Sequence, residues 1–328
     1  MTLGLTLPLD GVPLHALRDL LPAIRAAGFD ELWSAEVAGL DGLTPLTLAA
    51  AWDADVRLGT AVLPVFTRGP GLLAMTAAAM AEAAPGRFTL GLGASSPAVV
   101  QQWNGIAFEQ PFARTREVLR FVRAALAGEK VDSAALGVQG FRLERPPTDP
   151  PRIALAALRP GMLRLAGREA DGVLLNWLAA TDVERCLTEV RAGRAEADAP
   201  REHTVVARVF VCPTEDAEHA RGVARRMIAA YLTVPAYAAF HEWLGRGPRL
   251  AAMAQRWHAG DRRGALAAID DDVVDDLVVH GAPAACAEHL QRYAAAGVDV
   301  PVVALVPTPE VRDAASLVEV LTGLGGRA

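Results

Sequence analysis

Short apolar runs alternate with segments of helical spacing along most of the chain. The runs are bounded by Gly, Pro or Asp, and between them apolar residues recur at the intervals of an amphipathic helix. This alternation is typical of βαβ units, in which a helix returns the chain to the same edge of a parallel sheet. Eight parallel strands close a barrel, so the pattern predicts a (β/α)8 TIM barrel. The eight runs are LGLTL (3–7), DELWSA (30–35), VRLGTAVL (56–63), RFTLGLG (87–93), IALAAL (153–158), GVLLNW (172–177), VVARVFV (205–211) and VPVVALV (300–306).

Two intervals between these runs are too long for a simple crossover. Residues 94–152 contain one predicted helix, at about 111–127, and a Pro-rich stretch with few strand signals that is expected on the surface. Residues 213–298 contain several amphipathic segments and are predicted to form a helical insertion. No linker separates two cores, so residues 1–328 are predicted to form a single barrel domain with insertion segments.

One joint occurs three times, where a helix end runs through Gly toward a buried strand. Such a Gly fits the left-handed conformation of a helix C-cap, and the Asp that follows is expected at the bottom of the sheet. Because chemistry in such barrels lies at the opposite face, we interpret these residues as structural. The joints are AAGFDELW (26–33), AGREADGVLL (166–175) and AAGVDVPVV (295–303), with Asp30, Asp171 and Asp299.

The amino-acid composition limits which binding partners and which cellular setting the sequence favours. The net charge of −6 argues against nucleic-acid binding, which needs a basic face to neutralise phosphates. No apolar stretch is long enough for a membrane span, and the N-terminus lacks the pattern of a signal peptide. The three cysteines are far apart and form no metal-ligand spacing, so we expect no metal site and a reducing, cytoplasmic setting.

The candidate chemistry follows the strands, because barrel active sites are built at the carboxyl ends of the strands. Two of the turns there consist of small residues that leave backbone N–H groups free for an anion, although ordinary tight turns also explain them. No G-x-S-x-G, Walker lysine loop or strand-end cysteine supports a hydrolase or phosphotransferase. The residues that follow the strands instead suit an enzyme that binds and orients a cofactor, and the cofactor does the chemistry. The candidates are Glu36, then Gly93, Ala94, Ser95 and Ser96, then Arg159, Pro160, Gly161 and Met162, and finally Trp177.

These segments together resemble the luciferase-like monooxygenase superfamily, within it the branch that uses the deazaflavin coenzyme F420. The matching pieces cover most of the chain in the expected order: GFDELWSAE (28–36), VRLGTAVLPVFTRGPGLLA (56–74), PGRFTLGLG (85–93), PFARTREVLRFVRAALAGEKV (111–131), LRPGMLRLAGREADGVLLNW (158–177) and HGAPAACAEHLQRYAAAGVD (280–299). The resemblance implies a barrel with insertions, F420 or the alternative FMN over the strand ends, and hydride transfer as the reaction.

The resemblance also implies roles for individual residues. In relatives the turn after the fifth strand helps to hold the cofactor phosphate, which assigns that role to Arg159, Gly161 and Met162, with Ser95 and Ser96 lining the same cavity. Relatives also have a non-proline cis peptide bond in the third strand. The corresponding bond here joins Ala61 and Val62.

One departure from the family pattern concerns proton transfer. Several dehydrogenases of this branch have a His directly after the acidic residue that ends the second strand, and this chain has Val37 there. Glu36 could act as the acid or base if burial raised its pKa, and a structural, ion-paired Glu36 is the other interpretation.

We therefore expect an F420-dependent oxidoreductase that acts on a small, largely apolar organic substrate. The alternatives are an FMN-dependent monooxygenase and a cofactor-binding protein without catalysis. The Ala-rich segment GLLAMTAAAMAEAA (71–84) fits either a homodimer contact or close packing of a helix on the barrel.

Overall fold

The barrel is built from eight parallel strands. The structure, a computed structural model, describes residues 1–199 and 201–326, so residues 200, 327 and 328 of the predicted 1–328 domain lie outside the described residues. The first barrel strand pairs with the second and also with the eighth, through Gly4 beside Val302, and this last pairing closes the ring. In chain order the barrel strands are Leu3–Leu7, Phe29–Ser34, Arg57–Thr60, Phe88–Gly93, Arg152–Ala156, Gly172–Asn176, Thr204–Cys212 and Val300–Leu305. The predicted (β/α)8 TIM barrel is confirmed.

Thirteen α-helices surround this ring or extend from it within the described residues. Many of them begin with proline in the first turn, where its missing N–H would have had no helical partner. They are α1 Leu17–Ala26, α2 Thr44–Trp52, α3 Pro70–Ala83, α4 Pro111–Leu126, α5 Pro160–Glu169, α6 Val183–Ala195, α7 Ala217–Leu232, α8 Pro235–Trp243, α9 Gly247–His258, α10 Arg262–Ala267, α11 Asp271–Leu277, α12 Pro283–Ala295 and α13 Ala314–Gly325. The Ala-rich helix α3 packs its small side chains against the barrel, while the homodimer stays a prediction.

The long intervals contain more strand than the sequence indicates. Val131–Ser133 pairs antiparallel with Val138–Phe141, which forms a short hairpin in the part of 94–152 that the sequence predicts to be poor in strands. In the insertion, Val278–His280 pairs with the end of the seventh barrel strand. Both additions are short, and their residues are mixed polar and apolar, which is why the pattern of buried runs does not reveal them.

The glycines of the repeated joint are required for two different physical reasons. Gly28 and Gly297 have φ of +104° and +105°, the left-handed conformation predicted for a helix C-cap. Gly167 differs because it lies inside α5, where a Cβ would come 2.1 Å from the carbonyl oxygen of Val190 in α6. Its C-cap interpretation is therefore wrong, and this Gly permits close packing of α5 on α6.

The aspartates of the joints bind the backbone or an arginine. Asp171 accepts a hydrogen bond from the Ile153 amide at 2.9 Å, and Asp299 accepts one from the Val205 amide at 2.7 Å. Asp30 pairs with Arg25 at 2.7 Å. These contacts agree with the structural interpretation of all three aspartates.

The floor of the barrel is closed by the indole of Trp33. A Cβ added at Gly59 would lie 2.4 Å from this ring, and one at Gly4 would lie 2.9 Å from it. The first and third barrel strands, which flank the strand that carries Trp33, therefore need glycine to make room for its large side chain. The Trp33 indole donates to Glu31, whose pKa is raised by burial although Arg57 lies beside it. Since the floor is filled, the interior of the barrel opens at its carboxyl-terminal end in the part of the chain that the structure describes.

No helix in the described ranges 1–199 and 201–326 is long and apolar enough to cross a membrane.

Candidate active site

A cavity of about 1070 Å³ opens at the carboxyl-terminal end of the barrel. Its volume is in the range of clefts that hold a cofactor or drug-sized ligand. The barrel strands and the turns after them form most of its wall, and α7 and α8 of the insertion complete it. The structure brings together in this lining Glu36, Ala61, Val62, Gly93, Ala94, Ser95, Ser96, Arg159, Pro160, Gly161 and Met162.

The turns after the fourth and fifth barrel strands lie side by side because these two strands pair, with Leu92 beside Leu155. Gly93 ends the fourth strand, and a Cβ there would lie 2.7 Å from Cγ2 of Val62. Glycine is therefore required where the Val62 side chain leans over this strand. Ser95 follows with a left-handed φ of +65°, and Ser96 accepts a hydrogen bond from the Val99 amide at 3.4 Å.

The turn after the fifth barrel strand presents the start of α5 to the cavity. Arg159 is its extended N-cap residue, and no side chain of the described chain caps this helix. Pro160 has no N–H, and the Leu163 amide already bonds to the carbonyl of Arg159, so the amides of Gly161 and Met162 have no helical partner. A Cβ at Gly161 would meet only Phe112, at 3.8 Å. Unpaired amides, a helix dipole and an exposed arginine make this rim suitable for an anion.

The third barrel strand supplies a wall of small residues next to these turns. The peptide bond between Ala61 and Val62 is cis, as the resemblance implied. After it, Leu63 and Pro64 pair with the end of the fourth strand, so the predicted run 56–63 is divided into two short strands.

Glu36 is held in an ion pair at the edge of the cavity. Its carboxylate accepts hydrogen bonds from Arg68 at 2.7 Å and 3.1 Å, and from the Gly42 amide at 3.1 Å. This geometry supports the ion-paired interpretation of Glu36, while its catalytic role stays a prediction. Val37, the residue in the place of the family's histidine, is half exposed at the mouth.

Trp177 does not line the cavity, contrary to the expectation from its place after the sixth strand. The strand ends at Asn176, which lines the cavity, and the backbone turns at Trp177, whose φ of +54° is left-handed, so the indole leaves the cavity wall. Its buried ring packs against Phe210 at 4.3 Å and Tyr231 at 4.9 Å between ring centroids. Trp177 therefore belongs to the core beneath the insertion.

Sequence reasoning missed a polar group on the cavity wall. Arg208 and Asn176 are paired neighbours on the seventh and sixth barrel strands, and both line the cavity with Tyr231 and Tyr237. The Asn176 amide donates to the Tyr237 hydroxyl at 3.1 Å. Burial lowers the pKa of Arg208 and raises that of Tyr237. The signal was available, since the run VVARVFV has one charged residue inside an otherwise apolar buried strand.

A second hollow, of about 500 Å³, lies on the outer surface beside α4 and α5. Several of its charged groups neutralise each other, since Arg120 pairs with Glu169 and Arg123 with Asp171. It is remote from the strand ends, so we do not assign it to the site. Among the described residues, no group of three or more His, Cys, Asp or Glu side chains could hold a metal ion.

Comparison with known proteins identifies the family. The model of the luciferase-like monooxygenases matches residues 2–300. The chain belongs to this family. It is 30% identical to a Mycobacterium tuberculosis protein named as an inferred coenzyme F420-dependent oxidoreductase, with 97% of this chain and 99% of the relative covered.

Reductases are also among the proteins that this chain is similar to. It is 32% identical to the 5,10-methylenetetrahydromethanopterin reductase of Methanolobus tindarius, over 70% of this chain and 71% of the relative. The coenzyme F420-dependent tetrahydromethanopterin reductase of Methanopyrus kandleri shares the fold with a TM-score of 0.78 at 22% identity, and the match covers 100% of this chain and 98% of the other.

Proposed function

We propose that this luciferase-like protein is an oxidoreductase that uses coenzyme F420 and transfers hydride between it and a small organic substrate. The observation that carries the proposal is the rim of the cavity, where the unpaired amides of Gly161 and Met162 face the same space as Ser95 and Ser96. The names of the similar reductases support F420 as the cofactor.

The residues present fit such a cofactor at both of its ends. The phosphate of its side chain would bind at the rim, where Arg159 adds a fixed positive charge to the helix dipole. The flat ring would lie against the wall of small residues formed by Ala61, Val62 and Gly93, which leaves a broad surface without long side chains. When bound, the deazaflavin supplies the site that accepts or donates hydride.

The protein's own contribution is binding, orientation and exclusion of water. Phe108, Phe112 and Leu158 give the cavity an apolar side near the rim. Arg68 neutralises Glu36, so this carboxylate stays fixed beside the ring position instead of repelling an anionic ligand. With Val37 in place of the usual histidine, proton transfer would depend on Glu36 or on the substrate itself.

The test is to incubate the purified protein separately with F420 and FMN, remove free cofactor, and measure the fraction retained by visible absorption. We expect F420 to be retained more strongly than FMN, and the bound F420 to be reduced or oxidised repeatedly with a panel of small substrates. Retention of FMN with oxygen consumption would support the monooxygenase instead. Tight binding without turnover would support the non-catalytic alternative.

A further inference from the structure

Arg208 is a guanidinium deep in the cavity without a carboxylate partner. It lines the cavity from the seventh barrel strand, and its Nε atom has no hydrogen-bond partner in the described residues. The ring of Phe210 lies 4.8 Å from its guanidinium carbon, and the groups that act on its charge are the hydroxyls of Tyr231 and Tyr237. Arginine stays charged even when burial lowers its pKa, so this cation faces the ligand space uncompensated.

Asn176 supplies a second group beside it. The two residues are register partners on adjacent parallel strands, which puts their side chains next to each other on the interior face of the barrel. One end of the Asn176 amide bonds to Tyr237, and the other end, Oδ1, is buried without a partner. A half-turn of the amide lets its oxygen accept from the Tyr237 hydroxyl and its NH2 group donate into the cavity.

An uncompensated buried charge is costly, and buried polar groups without partners are rare in folded proteins. The seventh strand stands opposite the third in the closed ring of eight, so Arg208 faces Val62 across the cavity. The phosphate rim belongs to the fourth and fifth strands, on a different part of the ring. A ligand group that contacts Arg208 therefore lies across the cavity from the wall against which the cofactor ring would lie. A reactant would occupy this position.

We propose that Arg208 and Asn176 form a subsite for a carboxylate of the substrate, so that the substrate is a small organic acid with an apolar remainder. This proposal rests on the proposed function for the identity of the reactant, and it replaces the expectation of a largely apolar substrate. The guanidinium of Arg208 and the side-chain amide of Asn176, which both line the cavity, would donate to the two oxygens of the carboxylate, and the charge makes these hydrogen bonds strong.

The test uses acetate, butyrate and benzoate as probes, each paired with its primary amide of nearly the same shape. Dissociation constants are measured on cofactor-free protein by tryptophan fluorescence, since Trp243 lines the cavity. We expect each carboxylate to bind about tenfold or more tightly than its amide, as charged hydrogen bonds contribute. Equal binding of acids and amides would overturn the proposal.

Two variants and one control locate the effect. Arg208→Met should remove the preference for acids. Asn176→Asp gives the guanidinium a partner within the protein, so it should abolish carboxylate binding and raise Tm, and it keeps the test decisive if Arg208→Met does not fold. Arg114→Met is the matched control, because Arg114 also stacks on a phenylalanine, Phe66 at 4.8 Å, but lies outside the cavity lining. Retained acid preference in both variants would contradict the subsite.

A final arm separates substrate from cofactor. The affinity of Arg208→Met for F420 should equal that of the wild type, because the proposed carboxylate belongs to the reactant. A large loss of F420 affinity would assign Arg208 to the cofactor and overturn the proposal. Failure of the wild type to bind F420 would contradict the proposed function alone, since the carboxylate titrations need no cofactor.

Discussion

At the scale of single residues, the rim depends on where side chains are absent. Gly161 lies in the first turn of α5 with open space before its Cβ position, so the fold tolerates a side chain that the ligand would not. Gly93 is different, because a Cβ there would collide with Val62. Of these two glycines, Gly161 therefore offers the substitution that separates binding from stability.

Gly161→Phe should weaken binding of F420 by about tenfold or more, because the ring fills the space before the amides that would hold the phosphate. Its Tm should stay within a few degrees of the wild type. Fluorescence titration with F420 measures the affinity, and Gly161→Ala, with a Cβ 3.8 Å from Phe112, is the milder control. An unchanged affinity in Gly161→Phe would remove the rim from the cofactor site.

The place of residues in the cavity lining was predictable where backbone chemistry decides it. Small residues and a proline at a strand-to-helix turn indicate unpaired amides whatever surrounds them, so Ser95 and Gly161 could be selected from the sequence. The direction of Trp177 was not predictable, because the strand ends one residue before it and the backbone there turns into a left-handed conformation. Arg208 was not predicted, because the apolar run around this single charged residue indicates a buried strand and not a polar wall of the cavity.

At the scale of elements, the insertion is joined to the barrel by a buried ion pair. Arg246 precedes α9, and its guanidinium contacts Asp182, at the start of α6, at 2.7 Å with 9% of each side chain exposed. Asp182 also accepts a hydrogen bond from the Ala179 amide at 2.8 Å. This contact fixes α8 and α9 relative to the sixth barrel strand, and α8 forms part of the cavity wall.

Arg246→Met should lower the free energy of unfolding by about 3–5 kcal/mol, because it leaves the Asp182 carboxylate buried without its charge partner. Urea denaturation measures the change. The control is Glu82→Gln, since Glu82 pairs with Arg145 on the surface with 52% and 81% of the side chains exposed, and we expect a change within about 0.5 kcal/mol there. Equal effects in the two variants would contradict a fixed junction.

The elements of the barrel were predictable because each buried strand is rich in apolar residues and is bounded by Gly, Pro or Asp, and α4 at Pro111–Leu126 agrees with the predicted helix at 111–127. The division of the third run was not predictable, since it depends on pairing with the distant fourth strand. The small hairpin at 131–141 is a local pairing, but its short strands carry no run of buried apolar residues. The order of the insertion helices likewise depends on tertiary contacts, which the local spacing of apolar residues does not indicate.

At the scale of the whole molecule, stability should depend on a buried histidine. His241 in α8 is fully buried, and burial, with Arg246 nearby, lowers its pKa from 6.5 to about 4. The folded state therefore resists a proton that the unfolded state takes up below pH 6.5. The stability contributed by neutral His241 is present above that pH, is lost as pH falls toward 4, and levels off below it.

We expect His241→Leu to lose less stability on acidification than the wild type, by about 3 kcal/mol between pH 7 and pH 4. The measurement is urea denaturation of both proteins at several pH values, with the difference between them taken so that the acidic groups common to both cancel. Parallel stability curves over this range would contradict the assignment.

The central claim is that the rim at α5 holds the phosphate of a deazaflavin whose ring lies against the third and fourth barrel strands. A crystal structure of the complex with F420 tests it most directly. We predict a phosphate oxygen within hydrogen-bond distance of the Gly161 and Met162 amides, with the ring beside Val62 and Gly93. A complex in which these amides face solvent and the phosphate binds elsewhere would contradict the account.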